Sequence, residues 1–132
     1  MINRFLFLAS LIFVFGCKKI PENNGQTKVI SQEEMQTLLQ LDDVQLVDVR
    51  TPKEFSDGYI ENAINIDFLS PDFDKGIQRL DKEKPVIVYC RSGKRSGKSV
   101  SEFKEAGFNT IYELEGGLLN WRSEGYKTVA IE

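Results

Sequence analysis

The sequence contains no histidine and only two cysteines, Cys17 and Cys90. Without histidine, no cysteine of this chain can be activated by a neighbouring imidazole, so any activation must come from backbone groups and cations. The two cysteines are far apart and form no C-x-x-C motif, which argues against a thiol oxidoreductase with a nearby resolving cysteine. The net charge of −3 provides no general footprint for nucleic acid, and we expect no nucleic-acid partner.

The length and composition are those of one ordinary globular domain. The chain has 132 residues, of which 41% are hydrophobic and 11% aromatic. This is enough for one domain with one core, and the sequence contains neither internal repeats nor low-complexity tracts.

The N-terminal segment has the pattern of an export signal. Arg4 provides a positive charge, and the apolar run from Phe5 to Phe15 is too short for a comfortable finished transmembrane helix. The run ends in Val-Phe-Gly-Cys, which resembles a bacterial lipobox, whose cysteine is lipidated and becomes the new N-terminus. We expect residues 1–16 to be a lipoprotein signal peptide cleaved before Cys17, so that the protein is lipid-anchored in the bacterial cell envelope, on the periplasmic side of either membrane.

The alternatives for this segment are an uncleaved membrane anchor and ordinary signal cleavage nearby.

Residues 17–27 are polar and contain proline and glycine, which predicts a flexible tether before a folded domain at 28–132. Lipidation of Cys17 would leave Cys90 as the only free thiol in an oxidising compartment, where a retained thiol indicates a function. A Cys17–Cys90 disulfide is the rival interpretation.

Strand and helix signals alternate along residues 28–132. Strands are expected at 29–30, 44–49, 63–66, 86–89 and 110–114. Helices are expected after capping boxes at Ser31 and Thr51, and over about 70–80, 96–106 and 118–124. This alternation predicts an α/β fold with a parallel sheet that helices cover on both faces. The 86–89 strand is the most continuously apolar, so we place it at the centre.

Cys90 lies between the end of this central strand and the start of the next helix. Active sites of parallel sheets lie at the carboxyl ends of the strands, and the N-terminus of a helix stabilises an anion, so the pKa of this thiol should be lowered. Between Cys90 and Ser101 there is no acidic residue, and the charged residues are Arg91, Lys94, Arg95 and Lys98. The segment predicts an anionic ligand or a stabilised anion; a solvated basic helix start is the alternative.

The loop residues each have an expected role. Gly93 should take a positive φ and allow backbone N–H groups to surround the sulfur. Lys94 and Arg95 should add Coulombic stabilisation and hold an anionic donor. Ser92 and Ser96 can donate hydroxyl hydrogen bonds, although Ser96 is more simply explained as the cap of the next helix.

Three further residues have two interpretations each. Asp48 and Arg50 stand at the carboxyl end of the 44–49 strand, where they could border the site. The favoured interpretation is structural, with Asp48 bonded to loop backbone and Arg50 paired with Glu54. Arg91 either binds the anionic ligand or has no part in binding, as a solvated surface residue or the partner of a local acid.

Several short motifs follow one another along the chain. They are Leu-Val-Asp-Val-Arg at 46–50, Glu-Phe at 54–55, Gly-Tyr-Ile at 58–60, Ala-Ile-Asn-Ile at 63–66, Cys-Arg-Ser-Gly-Lys-Arg-Ser at 90–96, and Gly-Gly at 116–117 followed by Trp121 and Gly125. In this order they resemble the motifs of single-domain rhodaneses. Two positions depart from the usual pattern. Tyr59 stands where the family often has histidine, and Asn62 where glycine or proline is common.

The resemblance implies a rhodanese-like three-layer fold and a thiosulfate sulfurtransferase type of activity. Cys90 would be the catalytic nucleophile, taking sulfane sulfur from a thiosulfate-like donor as a persulfide and passing it to a thiol or cyanide. The loop from Arg91 to Ser96 would bind the donor, with no metal or other cofactor. The alternative is a non-enzymatic sulfur-carrier or partner-binding module. A phosphatase of related fold would need C-x5-R, whereas Cys90 and Arg95 have the shorter C-x4-R spacing.

Overall fold

The computed structural model describes residues 25–41 and 43–132, which form strands and helices in strict alternation. The expected signal peptide, the lipidation site Cys17 and most of the expected tether lie outside the described residues, so these predictions stay predictions. Within the described ranges, no helix combines the length and the apolar character needed to cross a membrane.

The sheet has five strands in the order β1-β5-β4-β2-β3, and every pairing between them is parallel. The strands are β1 (Gln26–Ile30), β2 (Gln45–Asp48), β3 (Ile64–Asn65), β4 (Val86–Tyr89) and β5 (Thr110–Leu114). The helices are α1 (Gln32–Leu39), α2 (Pro52–Asp57), α3 (Phe73–Ile77), α4 (Lys94–Glu105) and α5 (Gly117–Ser123). The predicted α/β architecture with a parallel sheet is confirmed, and β4 is its central strand.

Side chains from the sheet enter two separate cores, one on each face. Successive residues of a strand point to opposite faces, so Val86 and Val88 lie in one core while Ile87 and Tyr89 lie in the other. The first core contains Phe73 of α3 and Val100 and Phe103 of α4. The second contains Met35 of α1 and Leu118 and Trp121 of α5. Both faces of β4 are therefore buried, which explains its uninterrupted apolar sequence.

Capping boxes were predicted at the starts of α1 and α2, and the structure contains the full box at α1 and part of it at α2. Ser31 and Glu34 form the expected capping box of α1, with the Glu34 N–H donating to Ser31 Oγ at 3.1 Å. Thr51 caps α2 by accepting from the N–H of Glu54. However, the carboxylate of Glu54 does not return to the backbone of Thr51, because it is engaged by Arg95.

Some boundaries differ from the prediction. β1 begins at Gln26, inside the segment expected to be tether, because its backbone pairs with β5 from that residue onward. The helix expected over 70–80 is limited to α3, and α4 begins at Lys94 rather than at Ser96. The early start of α4 brings its first turn directly against Cys90, which shapes the site described next.

Candidate active site

Cys90 follows the last residue of β4 and lies at the carboxyl edge of the sheet. The backbone N–H of Gly93 donates to Cys90 Sγ at 3.1 Å, and the hydroxyl oxygen of Ser96 lies 3.5 Å from the same sulfur. Gly93 has a φ of 99°, as the sequence predicted, and this left-handed conformation turns the chain back over the sulfur. The loop is thus folded around a single sulfur atom.

Hydrogen bonding sets the protonation of this thiol. Burial acts to raise the pKa of Cys90, but the Ser96 hydroxyl and the backbone N–H groups of Ser96, Gly93 and Ser92 outweigh it, so the pKa is lowered overall. Cys90 is only 1% exposed, which keeps these donors free of competing water. Activation by backbone groups agrees with the prediction.

The structure corrects the role expected for Ser96. Gly93 is the N-cap of α4, and Ser96 lies inside the first turn, fully buried. Its hydroxyl oxygen lies 3.2 Å from both the carbonyl oxygen of Gly93 and Glu113 Oε1, and its single proton can be donated to either acceptor. Because the helix starts within the loop, Ser96 faces Cys90 Sγ instead of capping the helix.

Arg95 is held by an acidic residue from another element. Its two terminal guanidinium nitrogens donate to the two carboxylate oxygens of Glu54 at 2.9 and 2.8 Å. These hydrogen bonds lower the pKa of Glu54 and raise the pKa of Arg95. The expected pairing of Glu54 with Arg50 is therefore wrong, since Glu54 projects from α2 toward Arg95 in the first turn of α4.

Arg50 instead pairs with Asp48. Both side chains are buried, and the guanidinium of Arg50 contacts both carboxylate oxygens while also donating to the carbonyl of Gly58 at 2.6 Å. Burial acts to lower the pKa of Arg50, but the hydrogen bonds to Asp48 outweigh it and raise the pKa. Asp48 also accepts from the N–H of Arg50, the loop-backbone bond that the sequence predicted for it.

A cleft of about 480 Å³ lies beside the loop that follows Cys90. It is lined by Arg50, Glu54, Asp57, Arg91, Arg95, Leu118, Leu119 and Arg122. Arg50 therefore borders the cleft, although its main interaction is the buried ion pair with Asp48. Arg91 is exposed at the rim, whereas Lys94 is exposed but does not line the cleft.

The start of helix α5 packs against the loop that follows Cys90. The backbone N–H groups of Leu118 and Leu119 donate to the carbonyls of Cys90 and Arg91 at 2.9 and 3.0 Å. A Cβ on Gly117 would lie 2.5 Å from the Cys90 carbonyl oxygen, so only glycine permits this approach. The Gly-Gly pair therefore allows the start of α5 to contact the catalytic loop.

Comparison with known proteins places this geometry in a family. The family model described as "Rhodanese-like domain" matches residues 31–124. The chain belongs to the rhodanese-like domain family. A sulfurtransferase of Allochromatium vinosum is 33% identical over 106 residues, covering 80% of this chain and 96% of the relative. A thiosulfate sulfurtransferase of Coxiella burnetii is 32% identical over 96 residues, covering 73% of this chain and 88% of the relative.

Solved structures show the same relationship. The crystal structure of a rhodanese-related protein from Thermoplasma volcanium matches with a TM-score of 0.68 and 30% identity, covering 77% of this chain and 97% of that one. The rhodanese-like three-layer fold expected from the sequence is thus confirmed.

Two residues of this rhodanese-like domain were not singled out by the sequence analysis. Arg122 of α5 lines the cleft, and Glu113 of β5 accepts from Ser96 beside the nucleophile. The motif around Gly116 and Gly117 was part of the family resemblance, but it contained no signal that Arg122 of α5 lines the cleft. Glu113 is the one charged residue of β5, whose sequence is Thr-Ile-Tyr-Glu-Leu, and that placement was the available signal.

Proposed function

We propose that this rhodanese-like domain is a sulfurtransferase that moves sulfane sulfur from thiosulfate to a thiol or to cyanide through a persulfide on Cys90. The observation that carries the proposal is the convergence of the Gly93 N–H and the Ser96 hydroxyl on Cys90 Sγ. Donors of this kind stabilise a thiolate without protonating it, which is what a sulfur nucleophile requires.

In the first half-reaction, the Cys90 thiolate attacks the outer sulfur of thiosulfate. A bond forms between Cys90 Sγ and that sulfur, the S–S bond of thiosulfate breaks, and sulfite leaves with the electron pair. The persulfide that remains carries one negative charge. Arg91 and Arg122 suit the dianionic donor because both line the cleft and neither forms an ion pair with any acid of the described residues.

In the second half-reaction, a thiolate or cyanide attacks the terminal sulfur of the persulfide. The bond between that sulfur and Cys90 Sγ breaks, Cys90 recovers its thiolate, and the acceptor leaves as a persulfide or as thiocyanate. Cys90 is the only cysteine of the described residues, so no resolving thiol among them can discharge the persulfide. An external acceptor completes the cycle.

The position of Arg95 favours sulfur over phosphoryl chemistry. An arginine that closes a phosphatase loop must offer its guanidinium to the phosphoryl oxygens. Here both terminal nitrogens of Arg95 are engaged by Glu54. The sulfurtransferase names of the Allochromatium and Coxiella relatives point the same way.

The test is mass spectrometry of the Cys90-containing peptide after the protein has been treated with thiosulfate, in wild type and in Cys90→Ser. We expect one added sulfur atom in wild type and none in the variant, together with thiocyanate production from cyanide by wild type alone. Ser123→Cys, which places an exposed thiol outside the loop, is the control for nonspecific sulfuration.

Each outcome separates the candidate functions. Equal turnover by wild type and Cys90→Ser would refute the mechanism. A persulfide that forms on Cys90 but passes to neither acceptor would instead identify a non-enzymatic sulfur carrier. Labelling of the introduced cysteine as strongly as Cys90 would show that the loop provides no activation.

We also propose that the protein acts as an envelope lipoprotein anchored through Cys17. The support is the lipobox-like sequence at 14–17 after a charged and then apolar segment. Expression in a bacterium supplied with labelled palmitate should label the wild type and not Cys17→Ala. An unlabelled wild type would refute lipidation and leave the sulfurtransferase proposal untouched.

A further inference from the structure

Glu113 lies beside the catalytic loop, although neither the motifs nor the proposed reaction gives it a role. It belongs to β5 and is in register with Val88 of β4 and Val29 of β1. Its carboxylate reaches α4, where the hydroxyl of Ser96 lies 3.2 Å from Oε1. A Cβ on Gly97 would lie 3.2 Å from the same oxygen, so glycine at this position leaves room for the carboxylate against the helix.

The hydroxyl of Ser96 connects this carboxylate with the nucleophile. Its oxygen lies 3.2 Å from Glu113 Oε1 and 3.5 Å from Cys90 Sγ, and Ser96 is fully buried. A hydroxyl can accept one hydrogen bond while donating another. It can therefore accept from a thiol and donate to a carboxylate, or donate to a thiolate and accept from a carboxylic acid.

We propose that Glu113 takes up the proton of the Cys90 thiol through the Ser96 hydroxyl. The S–H bond of Cys90 breaks as the oxygen of Ser96 gains that proton, and the O–H bond of Ser96 breaks as Glu113 Oε1 gains the second. No proton enters or leaves, and one negative charge moves from the carboxylate to the sulfur. Glu113 does not touch the sulfur, so it is a positioning residue, and its role rests on the proposed function of Cys90.

Two further observations support this path. Cys90 is 1% exposed and the chain contains no histidine, so the thiol has neither open contact with water nor an imidazole to receive its proton. Burial raises the pKa of Glu113, while hydrogen bonding lowers the pKa of Cys90. Both shifts act in the direction that narrows the difference in proton affinity between the carboxylate and the thiolate.

The side-chain hydrogen bond that the Glu113 carboxylate forms is the one with Ser96. Glu113 is in register with Val29 on β1 and Val88 on β4, and its Oε1 lies near Gly97 of α4 and near Gly93, the N-cap of α4. The charged group that acts on Cys90 from α4 is Arg95, and Glu54 of α2 balances its charge.

Two buried charged residues lie at the carboxyl end of the neighbouring strand β2. They are Asp48 and Arg50, which neutralise one another. A further buried ionisable group is Tyr89, the residue before Cys90, whose pKa is raised by burial so that its hydroxyl stays neutral. None of these groups offers Cys90 a proton acceptor equivalent to Glu113.

The test is the pH dependence of alkylation at Cys90, followed by peptide mass spectrometry without any sulfur donor. We expect two steps in wild type, because groups that interact by more than about one pH unit titrate as a pair. Glu113→Gln should titrate in one step, about one pH unit below the upper step of wild type. Glu115→Gln, which alters an exposed acid two residues further on, should match wild type.

The role of Ser96 is tested by combining the variants. In a Ser96→Ala background, Glu113→Gln should cause no further change, because the path between the two groups is gone. A single step in wild type, an unchanged profile in Glu113→Gln, or an equal effect of Glu113→Gln with and without Ser96 would overturn the proposal. Alkylation needs neither thiosulfate nor an acceptor, so this result is independent of whether the protein transfers sulfur.

Discussion

Arg95 on α4 and Glu54 on α2 form a two-point ion pair at the edge of the cleft, with N···O distances of 2.9 and 2.8 Å. The pair joins the first turn of α4, which follows β4 in the chain, to α2, which precedes β4. It also occupies both terminal nitrogens of Arg95, the arginine of the C-x4-R spacing. Removing it should therefore affect both stability and the electrostatics of the loop.

The Glu54–Arg95 pair should make stability depend on pH. Hydrogen bonds from Arg95 lower the pKa of Glu54, so its contribution is complete above the ordinary value of 4.5 and is lost as the pH falls through the lower pKa of the folded state. The pair is partly exposed, so Glu54→Gln should cost about 0.5–1 kcal/mol at neutral pH. Urea unfolding should show this difference shrinking toward pH 3, with the exposed Glu61→Gln as control; a difference that persists in acid would contradict it.

Ser96→Ala should raise the thiol pKa of Cys90 more than Lys94→Glu does. The Ser96 hydroxyl lies 3.5 Å from the sulfur, whereas Lys94 is exposed to solvent, where its charge is screened. A hydrogen bond to a charged group contributes about 1.5–3 kcal/mol, which corresponds to a shift of about one to two pH units. The alkylation midpoint of Cys90 measures both effects, and a larger shift in Lys94→Glu would show that cations dominate instead.

Gly117→Ala should disrupt the catalytic loop. The added Cβ would lie 2.5 Å from the carbonyl oxygen of Cys90, and Gly117 has a φ of 60°. Overpacking against backbone should cost about 2–3 kcal/mol in addition to the strain of the positive φ. Gly125→Ala is the matched control, because Gly125 has a φ of 85° but nothing within 4 Å of the added Cβ.

The two glycine variants separate packing from backbone strain. Gly125→Ala should lose only about 1 kcal/mol, and it should retain the sulfur-transfer rate of the wild type. Thermal unfolding and thiocyanate production measure the two effects. Equal losses of stability in both variants would mean that the contact between α5 and the loop is unimportant.

Asp48→Asn should be strongly destabilising. It would leave the guanidinium of Arg50, which is 4% exposed, buried without a compensating charge. Breaking a buried ion pair by removing one partner costs about 3–5 kcal/mol. Urea unfolding should show this loss, while Asp57→Asn, which breaks the exposed pair with Lys53, should change stability by at most about 0.5 kcal/mol. Similar effects of the two substitutions would contradict this assignment.

Much of the architecture could be predicted from local sequence. The continuous apolar run of 86–89 indicates a strand buried on both faces, and β4 is central with β5 and β2 on either side. Ser31 and Glu34 identify the start of α1 because both partners of a capping box lie within one turn. The ends of α3 and α4 were less predictable, since the packing of neighbouring elements decides where a weak helix starts and stops.

The sequence by itself determined that Cys90 lies at the carboxyl end of a central strand, in a loop whose Gly93 turns the backbone over the sulfur. These properties depend on residues adjacent in the chain, whose conformational preferences act locally. Only the tertiary structure decided that Glu54 binds Arg95, that Arg50 binds Asp48, and that Glu113 reaches Ser96. The first and third contacts join residues from separate elements. For the second, two acids, Asp48 and Glu54, stand near Arg50 in the sequence, and their spacing alone does not choose between them. Charge and spacing along the chain are compatible with several pairings, and the packing of the helices on the sheet selects one.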